Sequence, residues 1–495
     1  MDEFKNGLGL TTQETIDLAL GLKTGPRNPT SSAIKTGITA ATSALVGYPL
    51  EAPAKSLYFI EDAMRRRIPR VVNPTGGDTA HWKVITGINT SNVRAGVAEG
   101  AIATAITMTT SPKTMTYRTL NQYNTYTDES RFMGRQFMDI PQLGMLATLQ
   151  SLMIQEDLEI IGGTDVTIGG PTTVTATDNG GTDSNFATTT YYIVVSALNW
   201  FGWYNKAVGR KAGTDAAGES VGTICATGSY SSTSTHECLL SWTDVPGAAA
   251  YNIYIGTSSA SAAQYLMTVT YNKISLTSCT ATDTGVTNLA DQTAASGYGY
   301  EGIIQQLTTL TGTAGSTGSY GTKTAYYKDN AGVAPTSDGA GGCAEIETAL
   351  ASIWDNYRIS PTLILVNSQE AKSLKKLTIG SSSSNAVRVT INQDDKNKFT
   401  AGSAVNTYYS PYTEQLMNIV TSVHMPKGKI MLLGERVPYP NAEVPNNFEV
   451  ELQQEYYGEM FARTTRTTPV GVTCIGALKV YLPGACGVLA NLAPA

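Results

Sequence analysis

The sequence predicts an α+β protein, mostly strands with a few helices, into which a separate all-β sandwich is inserted. Gly, Ser and Thr are abundant and only 15% of the 495 residues are charged, a composition that favours strands and turns over charged helical surfaces. Charge nearly disappears between residues 164 and 297, which hold nine acidic and four basic residues. Because the chain exceeds the length that one hydrophobic core serves, more than one compact unit is expected.

The N-terminal part predicts an extended arm and a short helix. Residues 1–55 hold one helical pattern, TTQETIDLAL, followed by Gly, Pro and Ala, which indicates an arm. Residues 56–77 predict a short helix and a linker, because the pattern stops at Ile68-Pro69. The run Arg65, Arg66 and Arg67 is either a solvated face or a donor to another subunit, and the second alternative makes these residues candidate assembly contacts.

Residues 78–126 predict a long, projecting β-hairpin. Their apolar and polar residues alternate as in strands on both sides of Ser111-Pro112-Lys113, where we expect the turn. Little in the sequence is available to bury the outer faces of such an arm. Exposed paired strands invite contact with another subunit.

Residues 127–163 contain the best predicted helix of the chain. Pro141 opens the helix and Gly162-Gly163 ends it. Its apolar stripe is expected at Leu146, Leu149 and Met153. Its last turns hold Glu156, Asp157 and Glu159, which have the wrong sign for a helix C-terminus. We therefore expect cationic partners for these acids, and a neighbouring subunit is one source of them, which makes these acids candidate assembly contacts as well.

Residues 164–297 predict the inserted sandwich, with short strand-like runs between polar turns. The runs YYIVVSALNWFG and LLSWTDVPGAAAYNIYIGTSS resemble strands of a fibronectin type III or related immunoglobulin-like domain. This resemblance implies that Trp242 is the core tryptophan and Tyr251 its neighbour. Trp200, Trp203 and Tyr204 either form a surface that binds host glycans or close the sandwich core, and stapling of neighbouring subunits is a third use of the insert.

The remaining chain predicts a compact α/β unit over 298–440 and long strands over 441–495 that pack against the 143–161 helix. In the helix AEIETALASIWDNY, an apolar face is expected from Ile346, Leu350, Ile353 and Tyr357. A buried strand, TLILVN, follows. Asn367 is then expected to cap the next helix, with Glu370 three residues on.

No residue pattern in the chain predicts catalysis, a metal site or a cofactor. The three histidines lie in no recognised motif, and the six cysteines are scattered without CxxC spacing. A net charge of −6 without basic blocks argues against a protein that wraps nucleic acid. The N-terminus lacks a Sec signal and no run is apolar enough for a membrane span, so we expect synthesis in a cytoplasm and no membrane partner.

The order of these parts resembles a tailed-bacteriophage major capsid protein of the HK97 fold. The segments that carry the resemblance are GVAEGA (96–101), TYTDES (125–130), EDLEIIGGT (156–164), ISPTLILVNSQEAKSLKKL and QEYYGEMFARTTRTTPVGVTCIGALKVYL. In that family an N-terminal arm, an extended hairpin called the E-loop, a spine helix with a peripheral sheet and an axial domain form one subunit.

This resemblance implies a structural subunit, not an enzyme, that assembles with copies of itself into the hexamers and pentamers of an icosahedral shell. The shell would enclose viral double-stranded DNA without reading its sequence, and the insert would decorate the outer surface. Further implied partners are a portal, scaffold or decoration proteins, and a host surface glycan bound by the insert. The implied location is the virion, assembled in the host cytoplasm.

The alternative is a secreted or surface-layer adhesin with a fibronectin-type module. The missing signal peptide and the internal position of the sandwich count against it. A glycan-active enzyme with an accessory binding module is less well supported, because no positioned pair of acids is evident.

Overall fold

The computed structural model describes residues 63–73, 77–88, 96–103, 108–134, 139–179, 189–206, 218–225, 230–231, 236–257, 260, 263–277, 299–308, 325–339, 342–380, 406–437, 445–463 and 465–494. The arm expected over 1–55 lies outside these ranges. The chain divides into two compact units. Among the described residues, the smaller comprises 125–134, 139–144, 462–463 and 465–468, and the larger comprises the others.

Strands dominate the described ranges, which confirms the predicted α+β class. The strands are β1 (Arg70–Val72), β2 (Thr79–Ile88), β3 (Met108–Thr116), β4 (Arg118–Thr127), β5 (Val174–Asp178), β6 (Thr190–Leu198), β7 (Thr223–Ile224), β8 (Tyr230–Ser231), β9 (Cys238–Trp242), β10 (Ala250–Gly256), β11 (Gln264–Val269), β12 (Lys273–Leu276), β13 (Tyr326–Asp329), β14 (Leu363–Val366), β15 (Thr407–Tyr409), β16 (Leu416–Thr421), β17 (Ile430–Leu433), β18 (Phe448–Met460), β19 (Thr467–Val480) and β20 (Gly487–Ala490). The helices are α1 (Asp128–Gly134), α2 (Ile140–Gly162), α3 (Trp200–Tyr204), α4 (Ile303–Leu307), α5 (Ala344–Tyr357) and α6 (Ser368–Gly380), with a 3-10 turn at Pro483–Ala485. Within the described ranges, no helix has the length and apolar character that a membrane crossing needs.

Four strands form the peripheral sheet, in the order β1-β18-β19-β4. β18 and β19 pair antiparallel over most of their length, while β1 runs parallel to β18. Of the helix expected before β1, only 63–68 lie within the described residues; they form turns, in which the amide of Ile68 donates to the carbonyl of Met64 at 3.1 Å.

The hairpin predicted over 78–126 is shorter than expected. β2 pairs antiparallel with β3, but β4 leaves this pair and joins the peripheral sheet. The turn predicted at Ser111-Pro112-Lys113 is wrong, because these residues lie inside β3, with Pro112 opposite Lys83. In a two-stranded ribbon a strand residue need donate no ladder hydrogen bond on its outer side, so proline is tolerated there.

α2, the predicted spine helix, is buried at its C-terminal half. Its buried residues are Thr148, Leu152 and every residue from Glu156 to Gly162. The predicted stripe is correct in part: Leu149 packs against the main hydrophobic core, but Leu146 is exposed. Leu152, Leu158, Ile160 and Ile161 enter that core together with residues of β2, β18 and β19.

Six strands form the axial sheet, in the order β13-β20-β17-β14-β16-β15. Ile346, Leu350 and Ile353 of α5 are buried as predicted and Tyr357 is half-buried. Asn367 caps α6 through Oδ1, which accepts from the amide of Gln369 at 3.2 Å, but Glu370 accepts from the amide of Gly428 instead of the cap. β20 also differs from expectation, because it belongs to this sheet and not to the peripheral one.

The insert contains two antiparallel sheets around its own hydrophobic core. One has the path β11-β10-β6-β7, with β8 paired to β6, and the other has the order β12-β9-β5. Its core includes Trp242 and Tyr251, whose rings meet edge to face at 5.2 Å. We call the described residues outside the insert the body. The residues that flank the insert lie next to each other, since the amide of Gly302 donates to the carbonyl of Gly163 at 2.9 Å.

Candidate assembly surfaces

A buried charge cluster fixes the end of the spine helix α2 to β1 and β18. Glu156 accepts from Arg65 Nε at 2.8 Å and pairs with Arg70 Nη1 at 2.8 Å, and the hydroxyl of Tyr456 donates to the same carboxylate. The guanidinium of Arg70 also lies 4.7 Å from the centre of the Tyr456 ring. Burial acts to lower the pKa of Arg70, but Glu156 and Tyr456 outweigh it and raise that pKa. The cluster is thus an ionised pair network that ties three segments together.

Asp157 joins two further segments to the same helix. Its Oδ1 accepts from the amides of Met64 at 3.0 Å and Arg65 at 2.8 Å. Its Oδ2 lies 2.5 Å from Nδ1 of His424, in the connection between β16 and β17. A single carboxylate therefore holds the turn before β1 and the axial sheet's β16–β17 connection against α2.

Glu159 is buried, and none of the described cationic side chains pairs with its carboxylate. Its Oε1 accepts from the amide of Tyr300 at 2.6 Å. Burial raises the pKa of Glu159 to about 8, against that hydrogen bond. At neutral pH the group is therefore mostly the neutral acid, which explains how it is tolerated in the core.

These placements correct the expectation that the three acids meet a neighbouring subunit. Glu156, Asp157 and Glu159 are 1%, 0% and 2% exposed, so another subunit cannot reach their side chains. The cations that Glu156 needs come from Arg65 and Arg70 of the same chain. An acid at the wrong helix end is stabilised here by tertiary contacts rather than by assembly.

The base of the hairpin is locked to the body. The ammonium group of Lys113 pairs with Glu301 in a buried site, and Trp82 Nε1 donates to the carbonyl of Val480 at 3.0 Å. Ala80, Val84 and Met115 enter the main core. By contrast, Val97 and Ile102, which lie between β2 and β3 in sequence, are 50% and 97% exposed. The hairpin thus has a rigid base and apolar side chains left in solvent.

Exposed apolar side chains also gather where β4, β18 and α2 come together. We call this set the sheet-end patch: Tyr123, Met145, Leu146, Met460 and Phe461. The rings of Tyr123 and Phe461 meet edge to face at 6.4 Å. A Cβ on Gly458 would lie 2.7 Å from the terminal methyl group of Met145, which places α2 against β18 at this point. Apolar groups that gather on a surface mark contact sites in soluble proteins.

A second exposed set follows one edge of the axial sheet. This axial edge comprises Tyr409, Tyr412, Leu416 and Val423, and Leu416 is 63% exposed. Among the described strands, β15 is the last on this side and pairs only with β16. An open strand edge with apolar side chains is a template for pairing with another chain.

The three predicted arginines lie at different depths. Arg65 is partly buried in the charge cluster, whereas Arg66 and Arg67 are exposed. Arg67 Nη1 lies 3.2 Å from Glu435 in a solvent-accessible pair, beside a cavity of about 190 Å³ that Met64, Ile68, Arg436 and Phe448 also line. An assembly role stays a prediction for Arg66 and Arg67.

The aromatic residues of the insert divide between two cores. Trp242 and Tyr251 lie in the sandwich core. Trp200 is 0% exposed and belongs to the main core of the body, against which Trp203 also packs. The two uses expected of Trp200, a glycan platform or a lid on the sandwich core, are both wrong, because α3 turns this side chain into the body.

Several residues of these networks escape prediction from sequence. Arg70, His424 and Tyr456 are the partners of the spine-helix acids, yet they lie 86, 267 and 300 positions away from them. Glu301 lies in a glycine-rich segment, and nothing in that local sequence indicates that it pairs with Lys113. The only local signal was the acidic helix end, which indicates that cations are needed but not where they are in the chain.

No family model matches the chain, and no curated protein matches it. Among solved structures, it is similar to the capsid of a native GTA particle (9% identity, 88% of this chain and 92% of that one, TM-score 0.38). It is also similar to the SrpI encapsulin of Synechococcus elongatus (8% identity, 91% of this chain and 95% of that one, TM-score 0.37). A third similar structure is the capsid of cyanophage P-SCSP1u (9% identity, 87% of this chain and 89% of that one, TM-score 0.33). These are similarities alone, and the proposals below rest on the geometry of this chain.

Proposed function

We propose that this chain is the structural subunit of a closed icosahedral shell, the major capsid protein of a tailed bacteriophage. The observation that carries the proposal is the hairpin: its base is locked by Lys113 and Trp82, while Ile102 is almost fully exposed. A rigidly held arm with solvent-exposed apolar residues is explained if another copy of the chain covers it.

The number of separate contact surfaces supports a polyvalent assembly over a dimer. The hairpin, the sheet-end patch and the axial edge are distinct in the fold, so one subunit offers contacts to several neighbours. Linked weak contacts gain avidity of about 10² to 10⁴ without tight pairwise binding. Heterologous contacts between copies give rings when the rotation closes, and hexameric and pentameric rings are the units from which an icosahedral shell is built.

The element order supports the same proposal. A hairpin, a spine helix beside a peripheral sheet, an inserted sandwich and an axial sheet follow one another as the HK97-type resemblance implies. The finer parts of the proposal are that hexamers and pentamers form in the host cytoplasm, that a portal and scaffold or decoration proteins join them, and that the insert lies on the outer surface.

Sedimentation velocity of the full-length chain tests self-assembly. We expect megadalton particles for the native sequence and subunits or small oligomers for Ile102→Glu and Leu416→Glu, because a buried charge at an interface is costly. Lys83→Glu is the control, since Lys83 is exposed on the locked part of the hairpin. A native chain that stays monomeric at every concentration contradicts the proposal and favours the adhesin alternative.

The contents of the shell need a separate test. Because the chain is acidic overall, at −6, we propose that it encloses DNA without wrapping or reading it. Particles from infected cells should then yield nuclease-protected double-stranded DNA, whereas particles from the chain expressed alone should be empty. Protected DNA of one fixed sequence motif in both would contradict this part of the proposal.

A further inference from the structure

The insert reaches into the body at its short helix α3. Asn199 caps this helix by accepting from the amide of Gly202 at 2.7 Å, which directs Trp200 inward. The indole of Trp200 is wholly buried in the main core and its Nε1 donates to the carbonyl of His424 at 3.1 Å. The ring of Tyr204 meets the imidazole of His424 edge to face at 5.7 Å. This contact has the character of a domain core, not of a tether.

A second contact is a partly buried polar network between the insert and the axial sheet, in which the side chains of Asn272 and Asn491 are buried. From the insert, Asp244 accepts from Asn491 Nδ2 at 2.6 Å and from the hydroxyl of Tyr327. In the opposite direction, Asn272 of the insert donates to Asp329 of β13 at 3.0 Å. Each side therefore supplies both donors and acceptors, so separating the two would leave buried polar groups unpaired on each.

Lys429 makes this network electrostatically demanding. Its side chain is buried immediately before β17, next to β20 and within the field of Asp244 and Asp329. Burial lowers the pKa of Lys429, and the two carboxylates oppose that change. Of these two carboxylates, Asp244 belongs to the insert and Asp329 to the body.

Glycines on the body make room for the insert at three places. A Cβ on Gly162 would overlap the indole of Trp200. A Cβ on Gly332 would lie 2.8 Å from Cβ of Lys273, and one on Gly428 would lie 2.9 Å from the carbonyl oxygen of Thr270. Gly332 and Gly428 also have φ of +70° and +77°, which side chains rarely adopt. The body sequence is thus shaped for a docked insert.

We propose that the insert is a structural brace of the subunit: it completes the core at the end of α2 with Trp200 and joins the axial sheet through Asp244, which accepts from Tyr327 and Asn491, so that body and insert fold as one cooperative unit. This role differs from surface decoration, which a tethered sandwich would serve equally well. It concerns the single chain and holds whether or not the chain forms shells.

Calorimetry of the full-length, unassembled chain tests the brace. We expect one unfolding transition for the native sequence. Asp244→Ala should lower its midpoint by several degrees, because the variant removes the carboxylate that accepts from Tyr327 and Asn491 across the contact between insert and body. Asp178→Ala is the matched control, since Asp178 is an insert aspartate whose side chain is 41% exposed, and it should leave the midpoint unchanged.

Hydrogen exchange in the body supplies the second readout. The amides of β17 and β20 should exchange about tenfold faster in Asp244→Ala and in Trp200→Ala, although neither substitution lies in those strands. If Trp200→Ala does not fold, Asp244→Asn keeps the side-chain shape and removes only the charge, and a smaller loss of protection in the same strands is expected. Two separate transitions in the native chain, or unchanged exchange of β17 and β20 in the Asp244 variants, would overturn the proposal.

Discussion

His424 Nδ1 lies 2.5 Å from Asp157 Oδ2, and both side chains are buried. The pair joins the spine helix α2 to the connection between β16 and β17, and the carbonyl of the same histidine accepts from Trp200 of the insert. The spine helix, the axial sheet and the insert therefore meet at His424, and the spine helix contacts both of the others there.

Loss of Asp157 should destabilise the whole unit. Asp157→Ala removes the acceptor of two backbone amides and the partner of His424, and a buried pair that loses one member costs about 3–5 kcal/mol. Asp157→Asn keeps an acceptor for the amides and should cost less. Urea unfolding measures both, with the exposed Asp139→Ala as control. A change in unfolding free energy of Asp157→Ala no larger than that of the control would refute the role given to this carboxylate.

The arginine run should separate into one structural and two surface residues. Arg65→Ala removes one cation from Glu156 and should cost about 1–3 kcal/mol of unfolding free energy. Arg66→Ala and Arg67→Ala should change it by about 0.5 kcal/mol or less. If Arg66 and Arg67 contact neighbouring subunits, their double substitution to alanine will leave the chain folded and reduce particle yield. Equal destabilisation by all three single substitutions would contradict this division.

Glu159 should make stability depend on pH. Its folded pKa, about 8, is raised above the unfolded value, so the folded chain holds a proton that the unfolded chain releases. Stability is therefore highest below the unfolded pKa, near 4.5, and falls as pH rises towards 8, by up to about 1.4 kcal/mol per pH unit for this group. Glu159→Gln keeps the acceptor for Tyr300 and should flatten this part of the curve. Parallel curves for the native chain and the variant between pH 5 and pH 8 would show that the carboxyl does not titrate as described.

The ion pair at the base of the hairpin should control the order of the arm. Lys113→Ala leaves Glu301 buried without its cation, which should cost about 3 kcal/mol or more and increase proteolysis within 78–116. Lys83→Ala lies opposite Pro112 on the exposed face of the same hairpin and is the control. Unchanged stability and proteolysis for Lys113→Ala would mean that apolar packing of Trp82 alone holds the base.

Prediction from sequence succeeds where the pattern is local. The buried face of α5, the apolar strand β14 and the cap Asn367 depend on neighbours within a few positions, so the periodicity of the chain contains them. The packing of Trp242 against Tyr251 is likewise short-range, because the two lie on consecutive strands.

Prediction fails where tertiary contacts override local preference. Pro112 indicates a turn in the sequence, but it lies in β3. Proline is tolerated at an edge position where no ladder hydrogen bond is needed. The sequence predicts that a neighbouring subunit can supply cations to the acids of α2. The periodicity of a helix does not reveal that Arg70 and His424 of the same chain contact it. Trp200 reads as part of the sandwich, yet the cap at Asn199 turns it into the body.

Electron microscopy of negatively stained full-length chain, expressed alone and isolated from its native setting, tests the central claim most directly. We expect closed polyhedral particles of uniform diameter that bear small projections. Because the insert is a brace, particles that lose the projections should also lose their integrity. Monomers, fibres or flat lattices in both preparations would contradict the assignment of this chain as a shell subunit.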